Sequence, residues 1–202
     1  MNELKSDLNN KFIFVFDFDL TLTFKNDRIT NNLPTNGNYI ELFESEEKLN
    51  DMRETFERIK STGNYIYINT RGLVRDITHI FKNVGISVGT DSLIKDVKGS
   101  NTLEHINKPF GFIELKKYGL EELKDTNILW AVKKVIYLNN IKDNENVQYN
   151  NILFFDDSHI NINVAQLNGY SNSFLVGNDS GLIGLDYLLI KLKEILELLD
   201  KK

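Results

Sequence analysis

Asp17 and Asp19 stand two residues apart in DFDLT, Asp156 and Asp157 stand side by side in FFDDS, and Thr70 sits in INTRG. Each segment follows or closes an apolar run: KFIFVF over 11–16, YIYIN over 65–69 and NILFF over 151–155. If those runs are parallel strands of one α/β sheet, the groups after their carboxyl ends converge on one edge, where such folds bind ligands. Four carboxylates and a hydroxyl then face one place. Like charges that close cannot all stay ionised without a counter-charge, so the arrangement calls for a hard divalent cation. The chain has no cysteine, and an oxygen-rich donor set suits Mg²⁺ better than zinc. Taken singly, each aspartate reads as a helix cap or a solvated turn. The coincidence of three such segments, in this order, favours a site.

The elements that must position these groups follow from apolar spacing. Continuous apolarity over 11–16 indicates a strand buried on both faces. Residues 46–61 carry Leu49, Met52, Phe56 and Ile59 at helical spacing, and Gly63 is placed to end that helix. The strand over 65–69 leads into Thr70–Arg71–Gly72 and then a helix with Leu73, Ile77, Ile80, Phe81 and Val84, closed by Gly85. Residues 128–141 return to helical spacing, 143–151 read as a polar loop, 173–176 as a short strand, and 182 onward as an amphipathic helix packed on the sheet. Residues 24–45 are expected to form a flap or small hairpin. Residues 86–125 are punctuated by glycines and allow a third strand, a hairpin or a small insertion. Strands alternating with helices give a three-layer, Rossmann-like parallel sheet, in a single domain over 1–202.

Composition mainly excludes. With 202 residues, 41% of them hydrophobic, the chain can bury a sizeable core, and disordered and fibrous classes fall away. The net charge of −5 argues against a broad surface for nucleic acid or anionic lipid, although a local basic patch stays open. No apolar run nears the roughly 20 residues that span a bilayer, and the first eleven residues are too polar for a signal peptide. A cytoplasmic protein is the expectation, in keeping with the absence of cysteine.

The three motifs resemble those of the haloacid dehalogenase superfamily. Asp17, Asp19 and Thr21 match its Asp-x-Asp-x-Thr motif, Thr70 its strand-terminal hydroxyl, and Asp156 and Asp157 its paired acids. The resemblance runs from about residue 11 to 176. Its lysine motif has three candidates, Lys124, Lys133 and Lys134. Lys134 is preferred because Leu138 and Ile141 follow it at helical spacing on one face.

The resemblance implies a Mg²⁺-dependent phosphomonoester hydrolase working through a phosphoaspartate. Asp17 would be the nucleophile and Asp19 the general acid and base. Mg²⁺ would be held by Asp17, the backbone carbonyl of Asp19 and Asp156, with Asp157 acting through water or on the lysine. Thr70 would bind a phosphoryl oxygen, helped by the Arg71 amide and by the positive end of a helix starting near Gly72. The Arg71 side chain would grip substrate or cap a turn. His79, His105 and His159 are read as structural or exposed. About 50 residues between Asp19 and Thr70 leave room for little or no cap domain, which suits a bulky phosphorylated substrate such as a macromolecule or a nucleic-acid end. The alternatives are a catalytically weak binding or regulatory module, a phosphotransferase, and a receiver-like phospho-acceptor that would not need Asp19.

Overall fold

The computed structural model describes residues 11–23, 34, 37–107, 116, 119, 124–177 and 184–200. Among the described residues five strands form one sheet in the order β3-β2-β1-β4-β5, with every pairing parallel. The strands are β1 (Ile13–Phe16), β2 (Tyr65–Leu73), β3 (Asp96–Ser100), β4 (Ile152–Asp156) and β5 (Ser173–Leu175). Among the described residues the helices are α1 (Glu46–Ser61), α2 (Val74–Asn83), α3 (Leu103–Asn107), α4 (Thr126–Glu145), α5 (His159–Leu167) and α6 (Gly184–Leu199).

β1 is central and wholly buried because apolar layers cover both of its faces. On one side Phe14, Phe16, Ile68 and Phe155 pack against α1, α2 and α6; Phe16 lies between Phe56 and Phe155 at ring separations of 5.2 and 5.1 Å. On the other, Ile13, Val15, Tyr67 and Phe154 pack against Val135, Leu138 and Ile141 of α4 and Ile162 and Ala165 of α5. This is the expected three-layer α/β architecture. No helix among the described residues is long and apolar enough to cross a membrane.

Several boundaries differ from the sequence reading. β2 does not stop at Asn69 but runs through Thr70–Arg71–Gly72, and α2 begins only at Val74, with Leu73 before it. The register with β3 slips between Asn69 and Leu73. There Gly99 presses on β2 so closely that a Cβ on it would lie 2.6 Å from the Gly72 carbonyl oxygen. Close backbone approach is therefore what that glycine permits.

The 86–125 stretch contributes β3 and α3; residues 108–115, 117–118 and 120–123 of it lie outside the described residues. The expected 24–45 flap also falls largely outside them. Within it, Tyr39–Phe43 is a 3₁₀ turn burying Leu42 and Phe43. α4 is longer than its apolar spacing suggested. Asp125 caps its start by accepting from the amides of Asn127 and Ile128, and Asn146 ends it in a left-handed conformation, so Asp143 lies in helix rather than loop.

At the amino-terminal edge of the sheet, Glu145 closes α4 with a buried carboxylate. It accepts from Lys11 at 2.7 Å, Lys95 at 2.6 Å and the Tyr67 hydroxyl at 2.5 Å. Despite the opposing effect of burial, these donors hold its pKa down at about 2. A depressed carboxyl pKa contributes stability above the unfolded value, near 4.5, and loses it as pH falls toward the folded value. Glu145→Gln is expected to cost about 1–2 kcal/mol at pH 7. In denaturant titrations its difference from wild type should shrink between pH 4.5 and 2; a difference independent of pH would contradict the charge-based account.

Candidate active site

Phe16 pairs with Ile68 on one side and Phe155 on the other, so Asp17, Asn69 and Asp156 come next at one level. The Asp17 amide donates to the Phe155 carbonyl at 2.8 Å, and Asp17 Oδ1 accepts from the Phe18 amide at 2.8 Å. Phe18 turns into the core, edge-on to Phe43 and Phe81. The chain then closes a tight turn, in which the Leu22 and Thr23 amides donate to the Phe18 carbonyl and Leu20 takes a left-handed φ of 55°. The anchored Phe18 leaves the aspartates on either side of it at the sheet edge. Asp19 is half-buried and near enough for its charge to act on Asp17. Thr21 is buried inside the turn, its Oγ1 without a hydrogen-bond partner among the described residues.

Lys134 Nζ lies 2.9 Å from Asp17 Oδ2 and 2.6 Å from Asp156 Oδ2, and the lysine is 3% exposed. Asp156 Oδ1 accepts from the Ser158 amide at 2.9 Å and from Asn161 Nδ2 at 2.8 Å. Of the three candidate lysines, Lys134 is the one the structure brings to the aspartates. Lys133 lies instead over the rings of Trp130 and Tyr137, at 4.8 and 5.8 Å. Lys124 is exposed before α4.

Burial is the largest influence on the titration of Asp17 and Asp157. It pushes Asp17 well above the ordinary range; Lys134 opposes this, while Asp156, Asp157 and Asp19 add to it. Asp157 is pushed up to about 6 by burial and by Asp156. One lysine does not balance this many carboxylates. Asp17, Asp156 and Asp157 each offer an oxygen within 4.8 Å of the others. An all-oxygen set with surplus buried negative charge fits a hard divalent cation.

Thr70 is fully buried, and its Oγ1 accepts from the Gly72 amide at 3.0 Å, which leaves its O–H as the donor. The expected helix terminus beside it begins later, at Val74, so the Arg71 amide belongs to strand rather than to a helix end. The Arg71 side chain is half-buried against Trp130. His79, His105 and His159 are exposed.

Two residues escaped the sequence reading. Asn69, fully buried, donates from Nδ2 to the Lys134 carbonyl at 2.9 Å and so fastens β2 to the helix turn that carries the lysine. A polar residue at the end of an otherwise apolar run, YIYIN, was the signal for it. Asn161 orients Asp156 from α5, a helix the sequence reading left unassigned.

No family model and no curated protein matches the chain in sequence. Among solved structures, a substrate-bound phosphoserine phosphatase complex is similar at a TM-score of 0.40 and 13% identity, over 82% of this chain and 84% of that one. A likeness that remote assigns no residue and no activity. Of the residues singled out in the sequence, Asp17, Asp156, Asp157 and Lys134 meet at one sheet edge.

A carboxyl with a raised folded-state pKa favours folding at low pH and opposes it once pH passes that value. Asp17→Asn should therefore raise the melting temperature of the cation-free protein at pH 7.5. Lys134→Met, which leaves buried carboxylates without their counter-charge, should cost about 3 kcal/mol. Cation affinity by calorimetry should weaken as pH falls through about 6, where Asp157 takes up its proton. A less stable Asp17→Asn protein would contradict this charge balance.

Proposed function

We propose that the chain is a Mg²⁺-dependent phosphomonoester hydrolase of the haloacid dehalogenase type, acting through a phosphoaspartate in one domain with minimal cap. The observation that carries the reading is the buried Lys134 shared between Asp17 and Asp156, with Asp157 in reach. A lysine and three carboxylates at the carboxyl edge of a parallel sheet form a compact arrangement for phosphoryl transfer.

In this reading the Thr70 hydroxyl, the Arg71 amide and Lys134 receive the phosphoryl oxygens. Asp17 attacks phosphorus opposite the leaving oxygen and becomes an acyl phosphate. Asp19 protonates the departing alcohol, then takes a proton from the water that attacks the phosphoaspartate, releasing inorganic phosphate and restoring Asp17. Asp17, Asp156, Asp157 and the Asp19 carbonyl would hold Mg²⁺, whose charge lets a carboxylate approach an anionic phosphate. The raised proton affinities of Asp17 and Asp157 agree with a pocket that favours additional positive charge. A phosphorylated small molecule or macromolecule is the substrate class.

Purified protein is expected to release phosphate from an aryl phosphate with Mg²⁺ and to lose that activity with a chelator. Asp17→Asn should abolish turnover. Asp19→Asn should lower it by roughly 10²–10⁴-fold. Wild-type activity in Asp17→Asn protein would refute the assignment, and an undiminished Asp19→Asn variant would favour a phospho-acceptor instead.

A further inference from the structure

Asp19 sits in a turn that one buried hydroxyl ties on both sides. Thr23, fully buried, accepts at Oγ1 from the Leu20 amide at 3.2 Å and donates from it to the Phe18 carbonyl at 3.3 Å. An amide N–H only donates, so the hydroxyl accepts there and keeps its own proton for the carbonyl. Those two backbone groups belong to the two peptide units that meet at the Asp19 α-carbon. Each unit is planar, so anchoring one atom of each restrains φ and ψ of Asp19 and, with them, the direction of its Cα–Cβ bond.

The rest of the turn shows that its shape is imposed. Leu20, next to Asp19, holds a left-handed φ of 55°, which a leucine keeps only where its surroundings require it. From outside, the first residue of α6 closes on the same backbone. A Cβ on Gly184 would lie 3.1 Å from the Thr23 carbonyl oxygen and 3.3 Å from that of Leu20. A bare glycine there lets the helix rest directly on the turn. The turn is thus tied from within by the Thr23 hydroxyl and backed from without by Gly184.

We propose that Thr23 is a positioning residue for the proton transfer assigned to Asp19, its hydroxyl keeping that carboxyl in reach of the leaving oxygen. The proposal rests on the hydrolase reading above. In the step concerned, an Asp17 carboxylate oxygen bonds to phosphorus, the bond from phosphorus to the ester oxygen breaks, and the Asp19 proton passes to that oxygen as it departs. An alkoxide is too basic to leave without the proton, whereas a dinitrophenolate leaves without it. A misplaced Asp19 therefore costs alkyl esters much and dinitrophenyl esters little. A general loss of folded protein lowers both alike.

The test compares kcat/KM for propyl phosphate and dinitrophenyl phosphate at saturating free Mg²⁺, because the Leu20 amide shares its peptide unit with the Asp19 carbonyl. This ratio reports the steps through the first phosphoryl transfer, so the later deprotonation of water does not enter it. In Thr23→Val protein the propyl ester should lose roughly 10–10²-fold and the dinitrophenyl ester less than about 3-fold. Thr23→Ser, which keeps the hydroxyl, should stay near wild type. On an Asp19→Asn background Thr23→Val should add little, since the group it positions is already gone. Equal losses on the two esters, a full additive loss on the Asp19→Asn background, or a serine variant as poor as the valine one would overturn the proposal. If Thr23→Val does not fold, Gly184→Ala, which presses on the same turn from α6, should show the selective loss at smaller amplitude; equal losses or none would overturn it. Wild-type protein that hydrolyses neither ester would instead refute the hydrolase reading, and the role of Thr23 with it.

Discussion

One ammonium group shared by two buried carboxylates organises the molecule. Lys134 reaches both Asp17 and Asp156 from inside the apolar layer between sheet and α4. Burying an ion pair is costly unless its remaining hydrogen bonds are met. Here the Phe18 amide, the Ser158 amide and Asn161 meet those of the carboxylates. Elements far apart in the chain, β1, α4, β4 and α5, are thereby held in one relation. Apolar side chains would often fill the same space at no loss of stability, so the cluster is not explained by stability alone.

Burial also raises the proton affinity of two of the acids. Asp17 and Asp157 hold protons more tightly than carboxyls in water do, Asp17 chiefly through burial, with Lys134 offsetting only part of the effect. The site is thus preorganised for positive charge brought from outside. Under the proposed hydrolase reading, such preorganised electrostatics would supply most of the effect, since phosphoryl transfer leaves little covalent chemistry for a protein to arrange.

Much of this was legible in the residues. β1 and β4 announced themselves because strands covered on both faces must be continuously apolar, and the acids that follow them sit where a parallel sheet gathers ligands. Lys134 was distinguishable from Lys133 because Leu138 and Ile141 mark the face of α4 that turns inward. Other features were hidden for physical reasons. Thr70–Arg71–Gly72 has turn composition, yet it continues β2 because Gly99 lets β3 close up against it. α5 begins HININ, alternating polar and β-branched residues with weak helical preference, and its packing on the sheet through Ile162 and Ala165 decides its structure. Asn69 looked like the end of a strand; its partner is a carbonyl sixty-five residues away, a pairing no local pattern encodes.

α4 carries the two charges that matter most, at opposite edges of the sheet: Lys134 among the aspartates and Glu145 among Lys11, Lys95 and Tyr67. Eleven residues separate them, very nearly three full turns and about 16 Å of rise, so both project from one side of the helix. The helix is therefore a ruler cut to the depth of the sheet. Exchanges of side chain along its outer face leave that length intact, but one inserted or deleted residue would swing either end by about 100° and pull one of the two charges off its partners. This segment is free to drift in composition and is bound in length.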